Sequence, residues 1–227
     1  KATIVGFSYR FNDEALKYAK RWSMLDPDSD EARVYMAQSY FRAGELRNAR
    51  RSFKAIIENG QQAPGQRLLS LVRYLSEEDN PQDADKLMRA LAKPYKNDAL
   101  AHYAVAALAL EAGDTTHAME QALRSSELDP DNIKSKLLYG RAMLVAGDTD
   151  KAIEYTARII GDDPDPDPDA RMELALMYMM TGRDDDALSQ VHQVLLAQWG
   201  RSDARRLMAI IKFRQKFLDA AWDDFGD

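Results

Sequence analysis

The chain has 227 residues, 45% hydrophobic and 30% charged, a balance far from the low hydropathy and high net charge of disordered segments. It contains no cysteine, which excludes disulfides, thiolate catalysis and cysteine-ligated metals together. A formal net charge of −6 argues against a nucleic-acid partner, and the most apolar run, residues 103–110, is far too short to span a bilayer.

Seven alanines, Ala15, Ala49, Ala84, Ala118, Ala152, Ala187 and Ala221, recur at intervals of 34, 35, 34, 34, 35 and 34 residues. A near-constant period of this length predicts a solenoid of stacked two-helix units. The predicted units run 1–29 (partial), 30–64, 65–98, 99–132, 133–167, 168–201 and 202–227 (partial), a single array of about five full repeats.

The first partial unit closes at Leu25-Asp26-Pro27-Asp28, where proline stops one helix and aspartate can cap the next. The unit from Asp30 carries Met36-Ala37 and Tyr40, then Gly44, Ala49, Phe53 and Ile56. The next carries Leu68, Leu71-Val72, Leu75, Ala84, Met88 and Leu91, with Asp79-Asn80-Pro81 where its neighbours have a turn glycine, so Pro81 is predicted to open its second helix. Then come Val105-Ala106, Ala109, Gly113, Ala118 and Ala122, closed by Pro130. Tyr139-Gly140, Met143, Gly147, Ala152, Ile159 and Pro164 follow, and after them Leu174-Ala175, Tyr178, Gly182, Ala187, Val191 and Val194. Apolar residues three and four apart make each half-unit an amphipathic helix. Gly44, Gly113, Gly147 and Gly182 stand where a first helix must stop and suit a left-handed residue. Small residues at Ala37, Ala106, Gly140 and Ala175 let paired helices approach closely.

These columns resemble the tetratricopeptide repeat, met in the fifth unit by Gly140, Ala152 and Pro164 at the family's small, alanine and closing-proline positions. The resemblance covers essentially the whole chain. It departs at Gly6, where an aromatic residue is usual, and at Lys96, where a closing proline would stand. It implies an all-α, right-handed superhelical α-solenoid of helix-turn-helix repeats. Lys1 and Asp227 both fall in mid-unit, leaving Trp222 and Phe225 without a cap. A fragment of a longer array, able to self-associate through uncapped ends, is therefore expected.

The resemblance also implies a concave partner-binding groove lined by the first helices. Its fifth, ninth and twelfth positions carry over as Val34, Gln38 and Phe41; Leu69 and Arg73; Tyr103 and Ala107; Leu137 and Arg141; and Met172, Leu176 and Met179. This lining is apolar for a surface that meets water, which marks an interaction site. Met172, Met177, Met179 and Met180 are expected to adapt to varied partner shapes, and Arg73 and Arg141 to hold carboxylates or carbonyls. The carboxylate clamp of the chaperone-tail-binding subgroup is not matched, the nearest set being Leu69, Arg73, Ala104, Lys134 and Leu138.

Catalytic, metal-binding and cofactor constellations are absent from the sequence. His102, His117 and His192 lack ligand spacing, and His102 suits an ordinary packed histidine. Asp163, Asp165, Asp167 and Asp169 alternate with prolines as a stiff linker, with Pro168 and Leu174 where a calcium loop needs glycine and glutamate. Arg47, Arg50, Arg51 and Lys54 form a basic stripe on a second helix, expected to be a solvated face. Residues 1–60 hold 11 basic and 8 acidic side chains, residues 162–227 hold 8 and 14, so the two ends of the array are expected to favour different surfaces. The expected function is a non-enzymatic scaffold or adaptor that binds a partner protein or extended peptide. Alanine- and leucine-rich units, Leu-Asp-Pro-Asp turns and the lack of cysteine resemble bacterial envelope lipoproteins of the protease-adaptor type. The alternative is the substrate-docking arm of an enzyme whose catalytic domain lies elsewhere.

Overall fold

The computed structural model describes residues 12–27, 29–161 and 166–225, with side chains from 14 to 216 within those ranges. Twelve α-helices and no strand occur among the described residues. In chain order they are α1 (Asn12–Leu25), α2 (Asp30–Arg42), α3 (Leu46–Glu58), α4 (Pro64–Ser76), α5 (Pro81–Ala92), α6 (Ala99–Glu111), α7 (Thr115–Leu128), α8 (Ile133–Val145), α9 (Thr149–Gly161), α10 (Pro168–Met180), α11 (Asp184–Ala197) and α12 (Ser202–Phe225). They form two compact units, Lys1–Asp131 with α1 to α7 and Asn132–Asp227 with α8 to α12.

A recurring local device ends the first helices. At Gly44 (φ +74°) the Gly44 amide donates to the Phe41 carbonyl and the Glu45 amide to the Tyr40 carbonyl, the paired bonds of a Schellman cap. The same pair recurs at Gly113, Gly147 and Gly182. In the first of these, Asp114 both closes the Schellman cap on α6 and accepts from the His117 amide at 3.1 Å as the N-cap of α7. One residue thus stops one helix and starts the next. Where glycine is missing, Asn80 caps α5 through the Asp83 amide and Pro81 occupies its first turn.

Most of these helices have 12 to 14 residues, about the length at which isolated helices are marginal, so stability must come from packing. In the first unit, consecutive helices pack against each other, and α4 also lies against α6 and α3 against α5. Phe53, Leu68, Leu75, Met88 and Leu108 are fully buried in its core. Asp98 joins the starts of α4 and α6: one carboxylate oxygen caps the Leu100 and Ala101 amides and the other accepts from the Gly65 amide at 3.0 Å. In the second unit, α8 packs on α9 and α10, α9 on α10, α10 on α11 and α11 on α12.

The alanine ruler is the packing key in both units. Ala49, Ala84, Ala118, Ala152 and Ala187 are completely buried, as are Ala37, Ala106 and Ala175, and Gly140 is buried. A Cβ on Gly140 would sit 2.7 Å from Thr156 Oγ1, so α8 and α9 meet almost backbone to side chain. The side chain of Ala221, and the expectations for Gly6, Asp163, Asp165, Pro164, Trp222 and Phe225, lie outside the described residues.

Candidate functional site

In the Lys1–Asp131 unit the predicted groove positions divide by burial. Gln38 and Phe41 are buried, at 2% and 6% exposure. Gln38 donates to the Tyr74 carbonyl at 3.1 Å and to Glu78 Oε1 at 3.2 Å, and Arg42 Nε donates to Glu78 Oε2 at 2.7 Å. These side chains lock α2 to the end of α4, which takes Gln38 out of reach of a partner. Val34 is half-buried and lines an open hollow of about 760 Å³ with Asn59, Gln62, Arg67, Ser70 and Tyr74. Leu69, Tyr103 and Ala107 are half-buried, and Arg73 is exposed, its guanidinium 4.9 Å from the Tyr74 ring centre. Burial, then Glu31, Tyr74 and Glu77, hold the Tyr35 hydroxyl above the ordinary phenol range.

In the Asn132–Asp227 unit Leu137 and Met172 are buried at 5% and 7%, Met179 is half-buried, and Arg141 and Leu176 are exposed. Arg141 is engaged by its own chain: it forms a two-pronged ion pair with Glu173, its Nε 3.3 Å from Oε2, which joins α8 to α10. The methionine cluster splits, Met177 entering the core at 1% and Met180 standing 67% exposed. Five further exposed apolar side chains fall outside the predicted set: Val145, Leu196, Trp199, Ile210 and Phe213, at 54%, 80%, 77%, 50% and 75%. The register already contained the last two, since Leu176 and Met179 advanced by 34 residues land on Ile210 and Phe213.

First helices α8 and α10 pack on each other in this unit, and α10 and α12 contribute to one core. The Arg141–Glu173 pair ties α8 to α10, and Arg201, just before α12, holds Asp169 of α10 at 2.5 Å and Asp203 at 2.9 Å. Arg201 pulls the Asp203 carboxyl below the usual carboxylate range.

The remaining sequence features carry ordinary structural roles. His102 bonds through Nδ1 to Gln121 Oε1 at 2.7 Å and through Nε2 to the Lys96 carbonyl at 2.9 Å. Asp167 caps α10 by accepting from the Asp169 amide. Arg47, Arg50, Arg51 and Lys54 are solvent-exposed, with Lys54 3.4 Å from Glu58. No group of three or more His, Asp or Glu side chains able to hold a metal occurs among the described residues. No helix among them is long and apolar enough to cross a membrane.

Comparison with known proteins supports the same repeat. Tetratricopeptide-repeat models match residues 109–169 and 31–59. Among solved structures, one similar array is in the Cut9–Hcn1 hetero-tetramer of the APC/C: 17% identity over 92% of this chain, TM-score 0.52. This chain spans 41% of that protein's length. Another is a tetratricopeptide-repeat protein of Parabacteroides merdae ATCC 43184, with 10% identity, 92% of this chain and 81% of that one covered, and a TM-score of 0.56. A search of curated protein sequences produced no significant match. The fold is that of an all-helical tetratricopeptide-repeat solenoid, and proteins built of these repeats generally mediate protein–protein or peptide interactions.

Proposed function

We propose that the chain is a non-enzymatic scaffold that binds a partner protein or extended peptide along the face formed by its first helices. One observation carries this reading: in the Asn132–Asp227 unit the repeat's groove register leaves Leu176, Met180, Ile210 and Phe213 in solvent. Apolar residues left in solvent on successive first helices cost free energy unless something covers them. The ruler alanines, by contrast, are fully spent on packing. Apolar pockets gathered across several helices suit a side-chain-anchored peptide or helix, with main-chain contacts adding specificity.

We place this scaffold in the bacterial envelope, as an adaptor for assembly or proteolysis. The supports are its Ala- and Leu-rich repeats, its Leu-Asp-Pro-Asp turns at Pro27 and Pro130, and a cysteine-free composition. The net charge of −6 favours protein over nucleic acid as the partner.

Photo-crosslinking tests the face directly. A benzoylphenylalanine at position 176 or 213 should trap a discrete partner in an extract of the native host. The same probe at Gln193, exposed on second helix α11, should not. Equal trapping at all three positions, or trapping at 193 alone, would refute the assignment.

A further inference from the structure

The sequence suggests an acidic C-terminal third, with 14 acidic against 8 basic side chains over residues 162–227. The structure redistributes that charge. The acidic side chains described on first helices α8, α10 and α12 are Asp169, Glu173 and Asp203. Each is held by an arginine: Asp169 and Asp203 by Arg201, Glu173 by Arg141. Asp184 and Asp186, at the start of α11, are likewise bound by Arg214 and Arg183. Five of the seven acidic side chains described over residues 162–227 are therefore held by arginines within the unit.

Cations on the same face are not consumed. Lys134, at the second position of α8, and Arg206, at the fifth position of α12, are both exposed and form no ion pair among the described residues. Arg206 stands one helical turn before Ile210 and two before Phe213, on the side of α12 opposite buried Ala204, Leu207 and Ile211. Residues four and seven apart share a helix face, so Arg206 borders the exposed apolar pair. The accessible face thus presents apolar side chains from α10 and α12 rimmed by unpaired positive charge, although the chain as a whole is negative.

Resting on the scaffold reading above, we propose that this face receives an amphipathic segment whose apolar stripe is flanked by carboxylates. The apolar side chains of the ligand meet Leu176, Met180, Ile210 and Phe213, and its acidic flanks meet Lys134 and Arg206. Among the described side chains of these helices, a basic segment with the same stripe finds no carboxylate without an arginine to receive it. Rim charges of this kind act mainly on selectivity and association rate, and are screened by salt.

Two fluorescein-labelled helical peptides of 18 residues provide the test, both with leucine at i, i+3, i+4 and i+7, one carrying Glu and the other Lys on its flanks. Fluorescence anisotropy at 50 mM NaCl should show the Glu peptide binding about tenfold more tightly, the advantage shrinking as salt rises. The doubly substituted Lys134→Glu, Arg206→Glu protein should lose or reverse that preference. Ile210→Ala with Phe213→Ala should weaken both peptides alike. Equal binding of the two peptides, or preference for the Lys peptide, would overturn the charge assignment and leave the groove standing. Binding of neither peptide would overturn the apolar face itself, and this inference with it.

Discussion

Substitution of Gly140 by alanine sets two calculable effects against each other. Gly140 lies in the interior of α8, where replacing glycine by alanine contributes about 1 kcal/mol through helix propensity. The new Cβ would lie 2.7 Å from Thr156 Oγ1, 3.6 Å from Tyr155 Cδ1 and 3.7 Å from Met177 Cε. Only the first contact is repulsive, but Thr156 is fully buried and β-branched, so its hydroxyl has little room to swing away. Overpacking of this kind costs about 1–3 kcal/mol. Gly140→Ala should therefore be destabilising by roughly 1 kcal/mol net, a loss of about 2–4 °C in Tm for a chain of this size. Thr156→Ala removes the obstructing atom, a hydroxyl that has no hydrogen-bond partner among the described residues. In that background the same Gly140→Ala change should stabilise by about 1 kcal/mol, because only the propensity gain remains. The coupling between the two sites is then about 2 kcal/mol, well above the scatter of independent mutations. Thermal unfolding by circular dichroism of the wild type, both single variants and the double variant measures it. A Gly140→Ala effect of the same sign in both backgrounds would refute the claim that α8 and α9 are keyed by this contact.

Gly44→Ala should cost about 1–2 kcal/mol although no atom lies within 4 Å of the new methyl group, because the strain is in the left-handed backbone; Gly44→Asn should recover part of that loss in the same melts. Arg42→Met should lower stability by about 3 kcal/mol, since it leaves the Glu78 carboxylate (side chain 3% exposed) buried without its cation, and adding Glu78→Gln should restore much of the loss in urea titrations. Arg89 and Arg201 hold Asp114 and Asp203 below their usual value of 3.8. Their stabilising effect is therefore complete above the unfolded value and declines as pH falls through the lower folded values. Melting temperature should drop as pH is taken below about 3.8, and Asp203→Asn should flatten part of that acid limb.

The alanine spacing and the glycines at mid-unit were enough to establish an all-helical repeat, because both are local demands. A ruler alanine is small since two helix axes pass close by, and Gly44, Gly113, Gly147 and Gly182 adopt the positive φ that a Schellman cap requires. Pro81 signalled the start of α5 for the same reason: its missing amide and preset φ suit a first turn whatever surrounds it. The proposed binding face was legible only as a register. Gln38, Phe41, Leu137 and Met172 occupy groove positions by number, yet α2 is drawn onto Glu78 and the second-unit core closes over the other two apolar residues. How tightly neighbouring hairpins pack decides whether a given position meets water, and that distance is not written in any one repeat. Charge followed the same division. Composition counts carboxylates, but only the folded contacts reveal that Asp169 and Glu173 already hold arginines, because those partners stand 32 residues away and meet them only when the hairpins stack.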